Sequence, residues 1–452
     1  MKGIVISGTG SGVGKTVITT GLLSRLSKEM KVQAYKVGPD FIDPMYHTAA
    51  TGRRSRNLDS FFMDRETIRN LVGYSSSGAD ICVVEGVRGL YEGLSGTTDE
   101  CSTAEMAKIL GFPVILIVDA SSLTRSAAAI INGFKAFDRD VNIAGVILNN
   151  VSGEHHRTKL TDALKRYTDT EVIGVIERDA ENAVGKRHLG LNTIREHSKG
   201  DIAPLEAMVS ELDTDRIMDA AESNECGHLP SDPPYRRHDC GMKVAVPTDD
   251  AYCFYYQENL ECMSAAGMDI ITFSPLNGDM LPDADIYYLG GGYPELFAER
   301  ISENRDFLEG LKTASDDGRM ILGECGGLLT MCGSLTMNGV SARMSGIFDA
   351  DAYMSGRHGP RYVIAGSTGD NPLFPGMSVR GHEFHYSSVR PNREYPYGYG
   401  LRRGDGLGGS RDGLVVNRSM GTYMHHHALS TDDWMGTVSG AVRRRVRRSG
   451  TV

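Results

Sequence analysis

Residues 3–26 read GIVISGTGSGVGKTVITTGLLSRL, and this stretch decides the fold of the first half of the chain. The short apolar run GIVIS predicts a buried strand, and the segment from Lys15 onward has the apolar spacing of a helix. A glycine-rich loop joins the two. Successive backbone N–H groups with few side chains form an anion-binding nest, and the N-terminus of the helix adds a partial positive charge. The stretch therefore predicts a phosphate-binding loop in an α/β domain.

The residue types in this loop indicate how a nucleotide would be held. Lys15 would reach the terminal phosphates, and Thr16 would present its hydroxyl to Mg²⁺. The spacing GxxxxGK[ST] fails by one residue, because Thr9 stands where the first glycine is expected. The loop is instead similar to the variant loop of dethiobiotin synthetase and its ATPase relatives. The predicted cofactor is ATP, and its predicted binding residues are Gly10, Gly12, Gly14, Lys15 and Thr16.

A magnesium ion at this loop needs oxygen ligands beyond a threonine hydroxyl. The motif VVEG places Glu85 at the end of a predicted strand, and KVGPDFIDP places Asp40 and Asp43 just after another. The carboxyl ends of the strands form the edge at which open α/β sheets bind ligands. We predict Thr16, Asp40 and Glu85 as the Mg²⁺ ligands. Each acid taken singly is explained equally well as a loop residue that faces water.

Short apolar runs alternate with helical segments in both halves of the chain. The candidate strands are residues 3–7, 32–37, 79–85, 112–119 and 142–149 in the first half, and 242–248, 268–274, 284–290 and 318–324 in the second. Continuous apolar strands separated by helices are typical of a parallel sheet that is covered on both faces. The predicted fold class is therefore α/β with two domains, each a mainly parallel sheet with helices on both faces.

The length of the chain, 452 residues, is too great for one ordinary core and agrees with two domains. The strand pattern lapses near residues 222–240, where prolines, glycines and mixed charges indicate a linker. We predict an ATPase domain over residues 1–222, a linker over 223–240 and a second domain over 241–452.

Composition excludes several classes of function. A net charge of −10 argues against general affinity for nucleic acid or membrane surfaces. The apolar runs are too short to span a membrane and the N-terminus does not resemble a secretory signal, so we expect a cytoplasmic protein. The basic stretch at 442–448 is interpreted as a solvated end, and the eight cysteines, none spaced as CxxC, as reduced thiols. A homodimer is compatible with base rates.

The segment GECGG at residues 323–327 predicts a second chemistry. Cys325 follows the apolar run RMIL and precedes a helical segment, and a thiol on such a strand-to-helix turn is exposed and activated by the helix N-terminus. A nucleophile needs a base, and His425 in GTYMHHH is the candidate. The glycines of LGGGYPE and GECGG offer backbone N–H groups for an oxyanion hole, and the predicted members are Gly291, Gly292 and Gly326.

Alternative explanations exist for both parts of this predicted site. A cysteine between glycines is more often an inert buried residue than a nucleophile. The three adjacent histidines would also suit a metal cluster, although only His425 and His427 share one face of a strand. The combination of GGGYPE, GECGG and TYMH favours the nucleophile.

At this point the chain resembles a known family, the ATP- and glutamine-dependent a,c-diamide synthases that act on cobyrinate or Ni-sirohydrochlorin. The motifs that carry the resemblance span nearly the whole chain and include GTGSGVGKT, KVGPDFIDPMYH, RNLDSFFM, VVEGVRGLYEG, FYYQENLE, LGGGYPELFA, GECGGL, GHEFHYS and GTYMHHH. The resemblance implies a P-loop NTPase-like N-terminal domain and a class I glutaminase-like C-terminal domain. It also implies ATP and Mg²⁺ as cofactors, and glutamine and a polycarboxylate tetrapyrrole as substrates.

The resemblance assigns roles to single residues. Cys325 becomes the glutaminase nucleophile and His425 its base. The wider amidotransferase class usually carries an acid two residues after that histidine, where this chain has His427, so we predict a Cys–His dyad. ATP would convert a substrate carboxylate to an acyl phosphate, which ammonia released from glutamine then attacks. A polyanionic substrate favours basic residues near the N-terminal motifs, and the predicted substrate-binding residues are Asp43, His47, Arg54, Arg56 and Arg88.

Two other functions remain open at this stage. A cobyric acid synthase would share both domain types and amidate other side chains, whereas RNLDSFFM and GHEFHYS fit the a,c-diamide branch better. A ParA-like regulatory ATPase would use the phosphate loop as a switch and would not need Cys325 or His425.

For any single arginine among the predicted substrate-binding residues, an ordinary surface charge explains its presence as well as substrate binding does.

Overall fold

The computed structural model describes residues 1–178, 202–223 and 226–431, and positions 433, 434, 436–438 and 440. Contacts between residues divide the chain into two compact units, Met1–Pro234 and Tyr235–Val452. The division falls within residues 223–240, which the sequence predicts as the linker, and the ends of that linker stay a prediction. The basic stretch at 442–448 lies outside the described residues.

Unit 1 is built on a parallel sheet. Its described strands are β1 (Gly3–Gly8), β2 (Val32–Val37), β3 (Arg56–Leu58), β4 (Ile81–Glu85), β5 (Val114–Asp119), β6 (Ile143–Val151) and β7 (Glu171–Glu177). They lie in the order β3-β2-β4-β1-β5-β6-β7, and every described pair is parallel. All residues of β1, β2 and β4 are buried, as a sheet covered on both faces requires.

Helices connect these strands. They are α1 (Lys15–Leu26), α2 (Ile42–Thr51), α3 (Arg65–Ser75), α4 (Thr103–Leu110), α5 (Arg125–Phe137), α6 (Gly153–Tyr167), α7 (Ala203–Met208) and α8 (Thr214–Glu222). The apolar side of α1 contributes Ile18 and Leu22 to the same core as Ile4 and Ile6 of β1. The loop between β1 and α1 is thereby fixed at the carboxyl edge of the sheet.

Unit 2 contains a sheet with a parallel part and an antiparallel part. The parallel part has the order β9-β8-β10-β11-β18, and its strands are β8 (Met242–Pro247), β9 (Met268–Phe273), β10 (Ile286–Leu289), β11 (Met320–Glu324) and β18 (Ser419–Thr422). The two-domain α/β prediction is confirmed, and the strands predicted near 242, 268, 284 and 318 are β8, β9, β10 and β11.

The antiparallel part was not predicted from the sequence. Its members are β12 (Ser334–Met337), β13 (Val340–Arg343), β14 (Ala350–Ser367), β15 (Ser378–Pro391), β16 (Tyr397–Arg403), β17 (Arg411–Val416) and β19 (His425–His426). One of its pairs, β12 with β14, is parallel. The long strands β14 and β15 pair with each other, and β15 also pairs with β19. This arrangement brings the segment GHEFHYS next to the histidines of GTYMHHH.

The described helices of unit 2 are α9 (Gln257–Ala265), α10 (Ala298–Glu303), α11 (Arg305–Asp316) and α12 (Gly326–Met331). The apolar spacing of residues 294–314 predicts a single helix. The structure divides this segment at Asn304, whose side chain accepts the N–H of Phe307 at the start of α11. Among the described residues, none of the helices has the length and apolar character needed to cross a bilayer.

Candidate active sites

The phosphate loop of unit 1 has the backbone conformation that its glycines predict. Gly12 and Gly14 have φ angles of 78° and 94°, in the left-handed region that favours glycine. A Cβ atom at Gly10 or Gly12 would contact nothing within 4 Å, so open space adjoins the loop. The ammonium of Lys15 donates to the carbonyl of Gly10 at 2.9 Å and closes the loop on itself.

A charged cluster lies beside this loop, and we define it as Thr16, Lys36, Asp43, His47 and Glu85. Lys36 on β2 and Glu85 on β4 are register partners on adjacent parallel strands. Because these two parallel strands end at the same edge of the sheet, the fold places both side chains there.

The contacts within the cluster are short. Lys36 Nζ lies 2.5 Å from Asp43 Oδ2 and 2.7 Å from Glu85 Oε1. The Thr16 hydroxyl lies 2.7 Å from Glu85 Oε1 and 3.1 Å from Asp43 Oδ2. His47 Nε2 lies 2.6 Å from Glu85 Oε2. The cluster thus links the phosphate loop to two buried carboxylates.

Electrostatics keep Lys36 and Glu85 ionised. Burial raises the pKa of Glu85, but Lys36 and His47 outweigh burial and hold that pKa well below its ordinary value. Burial lowers the pKa of Lys36, and the carboxylates of Asp43 and Glu85 more than reverse this. Burial and the nearby Asp40 raise the pKa of Asp43 to about 7, against the effect of Lys36. Burial and the charge of Lys36 lower the pKa of Lys15.

The donor atoms of the cluster suit a magnesium ion. The Thr16 hydroxyl and the carboxylates of Asp43 and Glu85 are hard oxygen donors around one point, and Mg²⁺ prefers such ligands. Oδ1 of the predicted ligand Asp40 accepts the N–H groups of Ile42 and Asp43 at the start of α2, and the role of Asp40 as a Mg²⁺ ligand stays a prediction. The geometry therefore groups Asp43, predicted for substrate, with Thr16 and Glu85.

The predicted substrate-binding residues differ in their exposure to solvent. Arg54 and Arg88 are exposed, whereas Arg56 is 7% exposed and lies over the ring of Tyr74. Arg88 has a φ angle of 49°, and Leu90, two residues later, donates to the carbonyl of Gly8. Arg88 thus lies next to the phosphate loop. His47 is fully buried against Glu85, so its imidazole belongs to the charged cluster.

In unit 2 the structure places Cys325 on a strained turn. Cys325 joins β11 to α12 with a φ angle of 48°, a conformation that costs a non-glycine residue about 1–3 kcal/mol. The neighbouring glycines make the turn sterically possible. A Cβ atom at Gly323 would lie 2.4 Å from Met331 Sδ, and one at Gly327 would lie 2.2 Å from the carbonyl oxygen of Leu289. A strained nucleophile turn of this kind is typical of acyl-transfer enzymes.

The glycine turn predicted as the oxyanion hole lies between the cysteine and the histidine. A Cβ atom at Gly326 would lie 3.2 Å from the backbone nitrogen of Gly292. A Cβ atom at Gly291 would lie 2.5 Å from Cε1 of His425. The structure therefore brings Gly291, Gly292 and Gly326 together with the two predicted catalytic residues, and their catalytic roles stay a prediction.

Strand β15 borders the same place, which the sequence did not reveal. Cys325 Sγ lies 4.0 Å from the carbonyl oxygen of Phe384. His382 is the register partner of His425, and the two rings stack with centroids 4.9 Å apart. Residues 381–387, GHEFHYS, therefore line the Cys–His site. The signal in the sequence was the recurrence of polar and aromatic residues in an otherwise ordinary strand.

Burial favours neutral forms at this site, and the exposed, activated thiol predicted from the sequence is wrong, because Cys325 is only 8% exposed. Burial, with a contribution from Glu295, raises the pKa of Cys325 to about 12. Burial lowers the pKa of His425 to about 4, and Glu324 opposes that effect. Burial and the neighbouring His425 hold the pKa of His382 well below its ordinary value. At neutral pH the site therefore holds a thiol and a neutral imidazole, which can accept the thiol proton.

The three adjacent histidines have separate environments. His426 Nδ1 lies 2.6 Å from Glu324 Oε1, and His427 Nε2 lies 3.8 Å from Glu258 Oε2. Asn259 of α9 donates to the carbonyl of His426 and so braces the segment. Within the described part of unit 2, no group of three or more His, Cys, Asp or Glu residues is arranged to hold a metal ion. The structure gives no support to a histidine metal cluster.

Comparison with known protein families agrees with the two units. Residues 4–190 match a family described as the CobQ/CobB/MinD/ParA nucleotide binding domain. Residues 243–433 match the CobB/CobQ-like glutamine amidotransferase domain.

Curated relatives match over nearly the full length. The chain is 42% identical to a cobyrinate a,c-diamide synthase of Methanosphaera stadtmanae, with 96% of this chain and 97% of that protein covered. It is 44% identical to the enzyme of that name from Methanocaldococcus jannaschii, with coverage of 95% and 97%. For the Methanococcus maripaludis strain C7 enzyme of the same name, identity is 42% and coverage 97% and 100%.

A nucleotide-binding domain joined to a glutamine amidotransferase domain defines a class of enzyme, the glutamine-hydrolysing carbon–nitrogen ligases. Within that class, the chain belongs to the family of cobyrinate a,c-diamide synthases. The family resemblance predicted from the motifs is confirmed.

Proposed function

We propose that this protein uses ATP and glutamine to amidate the a- and c-acetate side chains of cobyrinate. The observation that carries the proposal is the presence, in one chain, of an ionic cluster beside a phosphate loop and a neutral Cys–His pair beside a glycine turn. The names of the full-length relatives support the choice of substrate.

The first unit would make the electrophile. A carboxylate is a poor acyl donor because its leaving group would be oxide, so it must be activated. Transfer of the γ-phosphoryl group of ATP to a substrate carboxylate oxygen gives an acyl phosphate and ADP. Lys15 would stabilise charge on the transferring group, and Mg²⁺ would neutralise the phosphate oxygens. Thr16, Asp43 and Glu85 would hold the metal, and Lys36 keeps the carboxylate of Glu85 ionised.

The second unit would make the nucleophile. The thiol proton of Cys325 passes to His425 as sulfur attacks the side-chain amide carbon of glutamine. The N–H groups of the glycine turn would stabilise the resulting oxyanion. The proton then leaves with ammonia, and water hydrolyses the thioester to glutamate. Ammonia attacks the acyl phosphate and releases phosphate. At neutral pH ammonia in water is mostly ammonium, which is no nucleophile, so production of ammonia within the same protein is an advantage.

The test separates the two half-reactions with one substitution in each unit. We expect Cys325→Ser to abolish glutamine-dependent amidation and to keep amidation with ammonium salts at high pH. We expect Lys15→Ala to abolish amidation with either nitrogen source and to keep the capacity to hydrolyse glutamine. Product masses report the number of amides formed. Unchanged glutamine-dependent amidation in Cys325→Ser would refute the proposal.

A parallel assay chooses the macrocycle. Purified protein is incubated with ATP, Mg²⁺ and glutamine and with either cobyrinate or Ni-sirohydrochlorin. We expect two mass shifts of one amidation each with cobyrinate. Double amidation of Ni-sirohydrochlorin alone would move the protein to the other branch of the family, and amidation at other side chains would indicate a cobyric acid synthase.

A further inference from the structure

We propose that Glu324, the residue directly before the nucleophile, is the acid that positions His425 in the glutaminase site. The inference rests on the proposed function of unit 2. The wider amidotransferase class places an acid two residues after the base, where this chain has His427. The dyad predicted from the sequence would therefore be a triad whose acid comes from an unexpected place in the chain.

The contacts of Glu324 carry the inference. The side chain is about 1% exposed, and its Oε1 accepts the backbone N–H of His426 at 3.1 Å. The hydroxyl of Tyr288 donates to Oε2 at 2.9 Å. That same Oε2 lies 3.8 Å from Nδ1 of His425. Oε1 also lies 2.6 Å from Nδ1 of His426, so this oxygen holds the backbone and the ring of that residue. Oε2 is the oxygen that presents negative charge to the ring of the base.

The fold explains how Glu324 comes to lie near both Cys325 and His425. Glu324 ends β11 and is the register partner of Thr422 on β18, three residues before His425. The next residue, Cys325, donates its backbone N–H to the carbonyl of Thr422. Nucleophile and acid are thereby fixed to the same strand end, and the base returns to them on β19.

A second buried acid near Cys325 is used for something else. Asp412 on β17 accepts the backbone N–H groups of Tyr423 and Met424 and the hydroxyl of Thr422. Its oxygens therefore organise the turn that precedes His425. In the part of unit 2 that the structure describes, Glu324 is the acid that lies within ion-pair distance of His425.

The chemistry gives Glu324 a defined task. When Cys325 attacks the amide carbon, its proton moves to His425 and the ring becomes an imidazolium in a buried site. A carboxylate 3.8 Å from Nδ1 stabilises that cation electrostatically without taking the proton itself. Glu324 touches neither glutamine nor the sulfur in this scheme, so it is a positioning residue.

The chain offers a matched control for the test. Glu258 is a buried glutamate whose Oε2 lies 3.8 Å from Nε2 of His427, the same distance at which Glu324 faces His425. We compare Glu324→Gln with Glu258→Gln in the full-length protein, measuring kcat and KM of glutamine hydrolysis and amidation with ammonium. Loss of a triad acid lowers kcat by up to about 10⁴-fold, and for this longer contact we expect a loss of roughly 100-fold.

The expected pattern is specific to a positioning role. In Glu324→Gln, kcat for glutamine falls, KM for glutamine stays within about twofold, and ammonium-dependent amidation is unchanged. Glu258→Gln retains kcat within about threefold. Equal effects of the two substitutions, or a rise in KM without a fall in kcat, would overturn the inference. Retained glutaminase activity in Cys325→Ser would instead refute the proposed function, so the two failures are distinguishable.

A second variant covers the case in which Glu324→Gln does not fold. Trp434 is the single tryptophan, is buried in unit 2 and reports its unfolding by fluorescence. Tyr288→Phe removes the hydroxyl that donates to Oε2 of Glu324 and accepts from Nδ2 of Asn259, and it leaves the charge of Glu324 in place. We expect Tyr288→Phe to lower kcat several-fold at constant KM. An unchanged kcat in a folded Tyr288→Phe would count against the inference.

Discussion

In unit 1, Lys36 Nζ lies 2.5 and 2.7 Å from the carboxylates of Asp43 and Glu85, and Lys36 and Glu85 hold each other in ionised form. In unit 2, burial raises the pKa of Cys325 to about 12 and lowers that of His425 to about 4, so both reacting groups are neutral. Phosphoryl transfer needs fixed charge around phosphates, whereas thiol attack needs a proton acceptor. The two sites differ in the way that their reactions require.

The largest effect is expected from breaking the ion pairs of unit 1. Removal of one partner of a buried pair leaves an uncompensated charge and typically costs about 3–5 kcal/mol. Lys36→Met should lower the free energy of unfolding of unit 1 by that amount, because Asp43 and Glu85 are left together in the interior. Hydrogen exchange of the strands of unit 1 measures the change.

Lys135→Met is the matched control for that experiment. Lys135 pairs with Asp169 at 2.5 Å, but the side chain of Asp169 is 83% exposed. An exposed pair contributes about 0–1 kcal/mol, so the control should be nearly neutral. If both substitutions lower the free energy of unfolding equally, burial does not make the ion pairs of Lys36 more important for stability than an exposed pair.

The neutral thiol of Cys325 in unit 2 is expected to react slowly with an alkylating reagent. Since a thiol with a pKa of about 12 is almost wholly protonated, alkylation of Cys325 by iodoacetamide at pH 7.5 should be slow. We expect it to be roughly 100-fold slower than alkylation of an ordinary thiol, and to accelerate about tenfold per pH unit up to pH 9. Peptide mass spectrometry follows Cys325 separately from the other cysteines.

His425→Ala sharpens this measurement. In a neutral pair the imidazole does not hold a thiolate in the resting protein, so alkylation of Cys325 should change little in the variant. A large decrease in rate in His425→Ala, together with fast alkylation of the unaltered protein near pH 6, would show an ion pair and remove the contrast between the two units.

A smaller effect concerns the stability of unit 2 against acid. Burial lowers the pKa of His427 to about 3, below the value of about 6.5 in an unfolded chain. Between these values the unfolded chain binds the proton and the folded chain does not, so stability is lost as pH falls. From pH 7 to pH 5 the loss from this residue should be about 2 kcal/mol. In urea unfolding followed by the fluorescence of Trp434, the free energy of unfolding of His427→Asn should fall by about 2 kcal/mol less than that of the unaltered protein between pH 7 and pH 5.

The control for this pH effect is His155→Asn, since His155 is exposed in unit 1. It should leave the pH dependence of the Trp434 transition unchanged. Buried acids such as Glu295, whose pKa burial raises to about 7, act in the opposite direction and are present in all variants. The difference between variants therefore isolates His427. Equal pH sensitivity in His427→Asn and the unaltered protein would contradict the assignment.

The two sites also differ in how far the sequence revealed them. The phosphate loop is local, because strand, loop and helix adjoin in the chain, and Glu85 ends a strand whose apolar run is continuous. The predicted strand and helix around residues 3–26 are confirmed. Pairing of Lys36 with Glu85 could also have been inferred, since adjacent parallel strands end at one edge.

The Cys–His site depends on contacts that periodicity does not encode. Periodicity did not reveal β14 and β15 as strands, and it does not state that β15 pairs with β19 and brings His382 onto His425. The role of Glu324 was hidden for a similar reason. A glutamate at the end of an apolar strand has no partner in the local sequence, and its contacts with Tyr288 and His426 arise only from the tertiary fold.

The smallest expected effect separates two arginines that the sequence treats alike. Arg54 is exposed, whereas Arg56 is buried and lies 5.9 Å from the ring centre of Tyr74. We expect Arg54→Ala to raise KM for the macrocycle by about 3- to 10-fold, as loss of one exposed charge-assisted contact allows, with stability and KM for glutamine unchanged. Arg56→Ala should instead lower stability by about 1–2 kcal/mol through the lost packing of its stem. Macrocycle titrations of both variants, with Lys135→Met as a control for loss of one surface charge, measure the split. A rise in KM for Arg56→Ala alone would place substrate recognition at the buried arginine and show that exposure is a poor guide in this unit.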